Sequence, residues 1–224
     1  MFFKCFNFNI IMSIYEKLDN SEKRIRADLE DKVIDIIFSV TNKAVFHGGT
    51  CVWRCFGGER FSEGISIYVE NENAIKRIID RLIYYGYRTK FSTAFSKHGV
   101  KLYFYNIEDM LDLQIAILGI AGVLNGYETI KGSEINVVTI EPEDVILEKI
   151  NDYNNRREAK DLYDIWVLTK NYRLTEKSWS DLDTFIYSIK PCFNYNDLAQ
   201  NIYGERPSFK EMVEDIKGVL NDIK

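Results

Sequence analysis

Apolar residues return along this chain with two different periods, and the alternation between them outlines its elements. From Ile14 to about Val40, Leu29, Val33, Ile36 and Ile37 recur at three- and four-residue intervals among charges. That spacing lays an apolar stripe along one side of a helix and predicts one or two amphipathic helices. Asn71 to Tyr85 repeats it with Ile75, Ile78, Ile79, Leu82 and Ile83, and Gly86 supplies a stop. Between these segments the runs are shorter. Val45-Phe46 is a brief apolar entry into Gly48-Gly49, and Cys51 to Phe56 reads as a helical turn or two ended by Gly57-Gly58. Ile65 to Val69 is β-branched and weakly alternating, and with Tyr87 to Phe95, Val100 to Tyr105, Met110 to Ile117 and Ile135 to Ile140 it makes a set of strands. Ser96-Lys97-His98-Gly99 and Asn106-Ile107-Glu108-Asp109 break this set, the second as a hairpin turn.

From Glu141 the pattern is helical throughout. Pro142 suits a first helical turn, with Glu141, Glu143 and Asp144 at the positive end of the helix dipole. Val145, Ile146, Leu147 and Ile150 form the stripe of this helix, and Leu162, Ile165, Trp166 and Leu168 that of a second from Arg156 to Thr169. Leu182 to Ile189, Asp197 to Ile202 and Ser208 to Ile223 continue in the same way. The expected fold is therefore α+β: a mixed-sheet part over residues 1–140, then a helical part over 141–224.

Composition narrows the classes of function. Hydrophobic residues at 46% and charged residues at 28% are ordinary for a folded protein. A formal charge of −5 argues against a broad nucleic-acid surface and leaves room only for local basic patches. Cys5, Cys51, Cys55 and Cys192 have no disulfide-framework spacing, which points to reduced thiols and a cytoplasmic protein. The opening MFFKCFNFNIIM is apolar but short and interrupted by Lys4, Asn7 and Asn9, so it is read neither as a membrane span nor as a signal peptide. Met12 opens a segment like an ordinary start, and residues 1–11 read as an upstream-start extension.

Three constellations carry candidate chemistry. Gly48-Gly49-Thr50 sits between an apolar run and a helix, where free amides and the missing Cβ suit a phosphate, although such a trio is equally a tight turn. Arg60-Phe61-Ser62-Glu63 follows it and enters the strand at Ile65. Leu111-Asp112-Leu113 holds a carboxylate inside a strand, a metal ligand or base unless it faces solvent at an edge. Lys149, Arg156, Arg157, Lys160, Asp161 and Asp164 cluster at the start of the helical part, as a phosphate site or as a solvated salt-bridge face. His47, Cys51 and Cys55 also recur every four residues, as zinc ligands on one helix face would, but Gly48-Gly49 interrupts that helix. His98 is the other histidine, and no fourth ligand stands out.

Taken together, Gly48-Gly49-Thr50, Arg60-x-Ser62-Glu63, Leu111-Asp112-Leu113, Lys149 with Arg156 seven residues on, and Lys160-Asp161-Leu162-Tyr163-Asp164 resemble the AbiEii-type nucleotidyltransferases. These are the toxin half of abortive-infection toxin–antitoxin pairs, within the polymerase-β-like nucleotidyltransferase superfamily. The resemblance spans residues 30 to 170 and implies a nucleotidyltransferase core followed by a helical domain. It implies transfer of a nucleotide from an NTP to an acceptor, a tRNA or other RNA or a protein, with Mg²⁺ and a cognate antitoxin. It assigns nucleotide binding to Gly48, Gly49, Thr50, Arg60, Ser62 and Arg156, and catalysis to Asp112, Lys149 and Asp161, with Asp112 also a metal ligand. In such enzymes two carboxylates spaced Asp-x-Asp on one strand, joined by a third from a neighbouring strand, hold the metal ions that bridge the phosphates. Here the run is Glu63-Gly64-Ile65-Ser66, so Gly64 and Ser66 stand where those two carboxylates belong. Glu63 is one position early, and alternation turns it to the opposite face. The expectation divides accordingly between an NTP-dependent transferase of reduced activity and a silent module of the same fold that binds nucleotide, RNA or a partner.

Overall fold

The computed structural model describes residues 12–91, 99–105 and 110–223. The first helices are α1 (Ile14–Lys17) and α2 (Ser21–Val40), the latter capped by Asn20, whose side chain accepts the Lys23 amide at 2.8 Å. β1 (Val45–His47) runs directly into α3 (Gly48–Cys55), and then come β2 (Ile65–Val69) and α4 (Glu72–Tyr84), capped by Asn71. β3 (Arg88–Phe91), β4 (Gly99–Tyr105), β5 (Met110–Ile117), β6 (Val123–Glu128) and β7 (Glu134–Thr139) follow. The chain finishes with α5 (Pro142–Arg156), α6 (Ala159–Asn171), α7 (Glu176–Ser188), α8 (Tyr195–Asn201) and α9 (Phe209–Ile223).

Among the described residues seven strands form one mixed sheet in the order β3-β4-β5-β2-β1-β7-β6. β2 lies parallel to β5 and antiparallel to β1, and β1 lies parallel to β7. The register sets Ile65, Ile67 and Val69 of β2 beside Leu113, Ile115 and Ile117 of β5. Ile65, Ile67, Val69, Leu111, Leu113 and Ile115 are buried; α2 packs on β5, and α4 packs on α2 and β3. Ser66 and Tyr68 turn to the other side, which α5 approaches. One hydrophobic core joins both parts of the chain, from Leu29 and Phe46 through Ile67 and Leu113 to Ile146, Leu168, Phe185 and Ile216.

Several expectations need correction. The glycine pair is not a turn before a helix: α3 begins at Gly48 itself. β6 is an additional strand that the apolar pattern does not announce, because VLNGYE carries an Asn125-Gly126 turn signal; pairing with β7 makes it an edge strand, with the Glu134 carboxylate over Gly126. The helix expected from Arg156 to Thr169 is broken, since Arg157 is left-handed at φ 51° and α6 starts at Ala159. The strand expected for Tyr87 to Phe95 is described only as Arg88–Phe91. Residues 92–95, the break at Ser96-Lys97-His98, the hairpin turn at 106–109 and the N-terminal residues 1–11 lie outside the described residues.

Candidate active site

The α3 N-terminus is tied down by the segment that follows it. Gly49 packs so closely that a Cβ there would lie 2.6 Å from Arg60 Nη2 and 2.8 Å from Ser62 Oγ, so only glycine fits. The Thr50 hydroxyl donates to the Gly64 carbonyl at 2.5 Å, and the Gly64 amide donates to Glu30 Oε1 at 2.9 Å. Thr50, Arg60 and Ser62 are all buried. The amides at the start of α3 have no partner one turn back in the helix, which is the arrangement that attracts an anion.

Behind the start of α3 runs a ladder of alternating charges. Arg60 donates from Nε and Nη2 to the two carboxylate oxygens of Asp164, each at 2.7 Å. Lys149 Nζ lies 2.9 Å from Asp164 and 3.4 Å from Asp161. Arg156 closes the ladder with two bonds to Asp161, each at 2.7 Å. Helix spacing explains the pattern: Lys149 and Arg156 project from one side of α5, Asp161 and Asp164 are neighbours on α6, and the break at Arg157 folds the two helices together. Burial pushes the Asp164 carboxyl up, but Arg60 and Lys149 pull harder and leave it below the ordinary carboxylate value. Burial pulls Lys149 down, and Asp164 and Asp161 outweigh it, so Lys149 stays charged. Arg156 also reaches Asp152 at 3.2 Å and Glu158 at 3.5 Å, so with these two carboxylates counted the ladder has no surplus of positive charge. Of the three cations only Arg156 is substantially open, with 41% of its side chain exposed against 5% for Lys149 and Arg60.

Two further groups have partners that the sequence did not indicate. His47 stacks on Tyr68 with ring centroids 3.8 Å apart, and the two share one carboxylate: His47 Nδ1 lies 3.1 Å from Glu148 Oε2 and the Tyr68 hydroxyl donates to Oε1 at 2.6 Å. His47 precedes α3 in extended backbone and pairs with Ser66 in the sheet, so this unit stands on the site's own face. Cys51 is buried with its thiol toward the Phe46 carbonyl, and among the described residues no cluster of His, Cys, Asp or Glu has metal-binding geometry. The second group is Glu30, fully buried on α2, with Oε2 lacking a hydrogen bond. Burial pushes its carboxyl up to about 8, against the pull of Arg54. Only the shared face across two strands and the depth of α2 bring these groups here; His47 and Glu148 are 101 residues apart.

Residues 37–188 match the family model for the nucleotidyl transferase AbiEii toxin of type IV toxin–antitoxin systems. This chain belongs to the AbiEii family. Solved structures resemble this AbiEii member along most of its length. JHP933 from Helicobacter pylori superposes with a TM-score of 0.63 at 16% identity, covering 91% of this chain and 92% of that one. MenT4, a nucleotidyltransferase toxin from Mycobacterium tuberculosis H37Rv, gives 0.61 at 15% identity over 91% and 85%, and a putative nucleotidyltransferase from H. pylori gives 0.62 at 15% over 92% and 96%. At such identities the likeness shows the nucleotidyltransferase fold alone. No match is found among curated proteins.

AbiEii-type transfer uses an NTP and a divalent metal, and the residues present do not fit the metal. Gly64 and Ser66 offer no anion, and Asp112 stands beside Gly64 in the register as the remaining carboxylate of the set. Gly64 has φ +90°, and a Cβ on it would lie 2.9 Å from the Asp112 carbonyl oxygen, so the backbone itself is set against an Asp at that position. Glu63 does not substitute: its side chain is 59% exposed and lies 3.5 Å from Arg26 on α2.

Proposed function

We propose that this AbiEii member binds the phosphates of an NTP and has lost metal-dependent nucleotidyl transfer. The observation that carries this reading is the contrast within one site: the cation ladder is complete while the Asp-x-Asp position is held by a glycine in a conformation an Asp does not share. Keeping five charged side chains together and mostly dry is a poor route to stability, because desolvation offsets the Coulomb gain. A ligand role accounts for it better. The α3 amides would hold one phosphate, and Arg156, the exposed end of the ladder, would turn from Asp152 and Glu158 to the next. Asp161 then acts as a positioning residue, holding Lys149 and Arg156 rather than touching the ligand. The family implies an antitoxin as protein partner, and we extend the reading to an RNA, such as a tRNA, as the neighbour of the nucleotide.

Titration calorimetry with NTPs, together with incubation with labelled NTP, Mg²⁺ or Mn²⁺ and total RNA, tests the reading. Binding without label transfer is expected. Transfer of label under either metal would overturn the loss of catalysis, and no heat with any NTP would overturn the binding. Arg156→Ala is expected to weaken NTP binding about tenfold, the size of one charge-assisted contact.

A further inference from the structure

α4 buries Ala74, Ile75, Ile78 and Leu82, yet its last turn ends in large side chains that the described residues leave open. Ile83 is 50% exposed, Tyr84 76% and Tyr85 53%. The two tyrosine rings meet edge to face at 5.5 Å, and the Arg81 guanidinium lies over both, 5.3 Å and 5.1 Å from their centroids. Arg81 Nη2 also reaches the Tyr85 hydroxyl at 3.5 Å. Flat rings ordered by a cation, with few rotatable bonds, form a ready surface for planar ligands. The local charge suits a polyanion. Residues 72–88 contain Lys76, Arg77, Arg81 and Arg88 against Glu72 and Asp80, a net of +2 in a chain of −5.

The patch also lies at the right end of the molecule. Arg88 pairs with Tyr105, and Tyr105 with Met110, two residues before Asp112. A second route agrees: the Tyr87 phenol feels Lys32 and Asp28 of α2, each two residues from Glu30, whose carboxyl accepts the Gly64 amide. Exposed aromatics beside Arg at one sheet end match the surface that single-stranded nucleic acid uses, with bases on rings and phosphates on guanidinium groups.

We propose that Arg81, Tyr84 and Tyr85 form a docking platform for single-stranded RNA, with Arg88 flanking it on the phosphates, at the same end of the sheet as the candidate site. The inference rests on the NTP-binding reading only in making the docked strand a neighbour of the nucleotide; docking itself needs no NTP. The test is fluorescence anisotropy of the full chain with a 5′-labelled twelve-nucleotide single-stranded RNA, without NTP, at two salt concentrations. Binding that weakens with salt is expected, with a loss of at least about tenfold for Tyr84→Ser combined with Tyr85→Ser and for Arg81→Gln, at unchanged melting temperature. Tyr84→Phe keeps the ring and is expected to keep the affinity. Absence of RNA binding, equal binding by the serine variant, or equal affinity for duplex RNA would each overturn the proposal. If RNA does not bind and the serine variant instead disrupts a complex with an antitoxin, the patch is a protein interface and the proposal fails. NTP calorimetry on the same variants is expected to be unchanged, so failure of RNA docking and failure of NTP binding are read separately.

Discussion

Gly64 is the residue on which the proposed loss of catalysis turns. An Asp there must adopt φ near +90° and bring its Cβ to within 2.9 Å of the Asp112 carbonyl oxygen. Gly64→Asp is therefore expected to lower stability by about 1–3 kcal/mol, read as a drop in melting temperature. Ser66→Asp, half-buried on the site face, is expected to cost less, so the double change that rewrites the motif loses stability through Gly64. Glu30 gives a pH signature. Its carboxyl stands near 8 in the folded chain against 4.5 when unfolded. Stability from this group is thus complete below about pH 4.5 and is lost as pH rises towards 8, at about 1.4 kcal/mol per pH unit. Glu30→Gln keeps an acceptor for the Gly64 amide, and its melts between pH 5 and 8 are expected to be flatter than those of the parent chain.

Between elements, the packing of α5 on α6 turns on the ladder. Asp164 compensates both Arg60 and Lys149, and all three are buried. Asp164→Asn leaves two buried cations short of a counter-ion, and a loss of about 3–5 kcal/mol in denaturant unfolding is expected. Arg156→Met, at the open end, is expected to cost no more than about 1 kcal/mol of stability while still weakening NTP binding. A larger stability loss from Arg156→Met than from Asp164→Asn would show that the ladder is organised from its exposed end instead. The turn that joins the two helices is clipped by the segment before α8: Phe193 donates its amide to the Arg157 carbonyl at 2.7 Å and accepts from Ala159 at 3.1 Å.

At the scale of the molecule, the sheet and the C-terminal helices share their core. Phe46, Ile67 and Leu113 belong to the same cluster as Ile146, Leu168 and Ile216. We expect one cooperative transition, with coincident melts by near- and far-ultraviolet circular dichroism, and Leu168→Ala lowering the whole transition by about 2–5 kcal/mol. Two separated transitions would show that residues 1–140 and 141–224 fold as independent units. Among the described residues no helix is long and apolar enough to cross a membrane.

Periodicity by itself determined α2, β2, α4, β5 and α5, because each carries its own apolar stripe or β-branched run and needs no partner to declare it. The family was legible in the same way, since Gly48-Gly49-Thr50, Arg60-x-Ser62, Asp112, Lys149 and Asp161 keep their order along the chain, and so was the missing Asp-x-Asp at Gly64 and Ser66. β6 was not legible, because an edge strand containing Asn125-Gly126 acquires its identity from hydrogen bonds to β7. Nor was the pairing of Arg60 with Asp164, the sharing of Glu148 by His47 and Tyr68, or the burial of Glu30 under Gly64. These depend on distances between residues 34 to 104 positions apart, which only the register of the sheet and the docking of helices set. The sequence states which charges the chain has; the tertiary structure decides which of them neutralise one another.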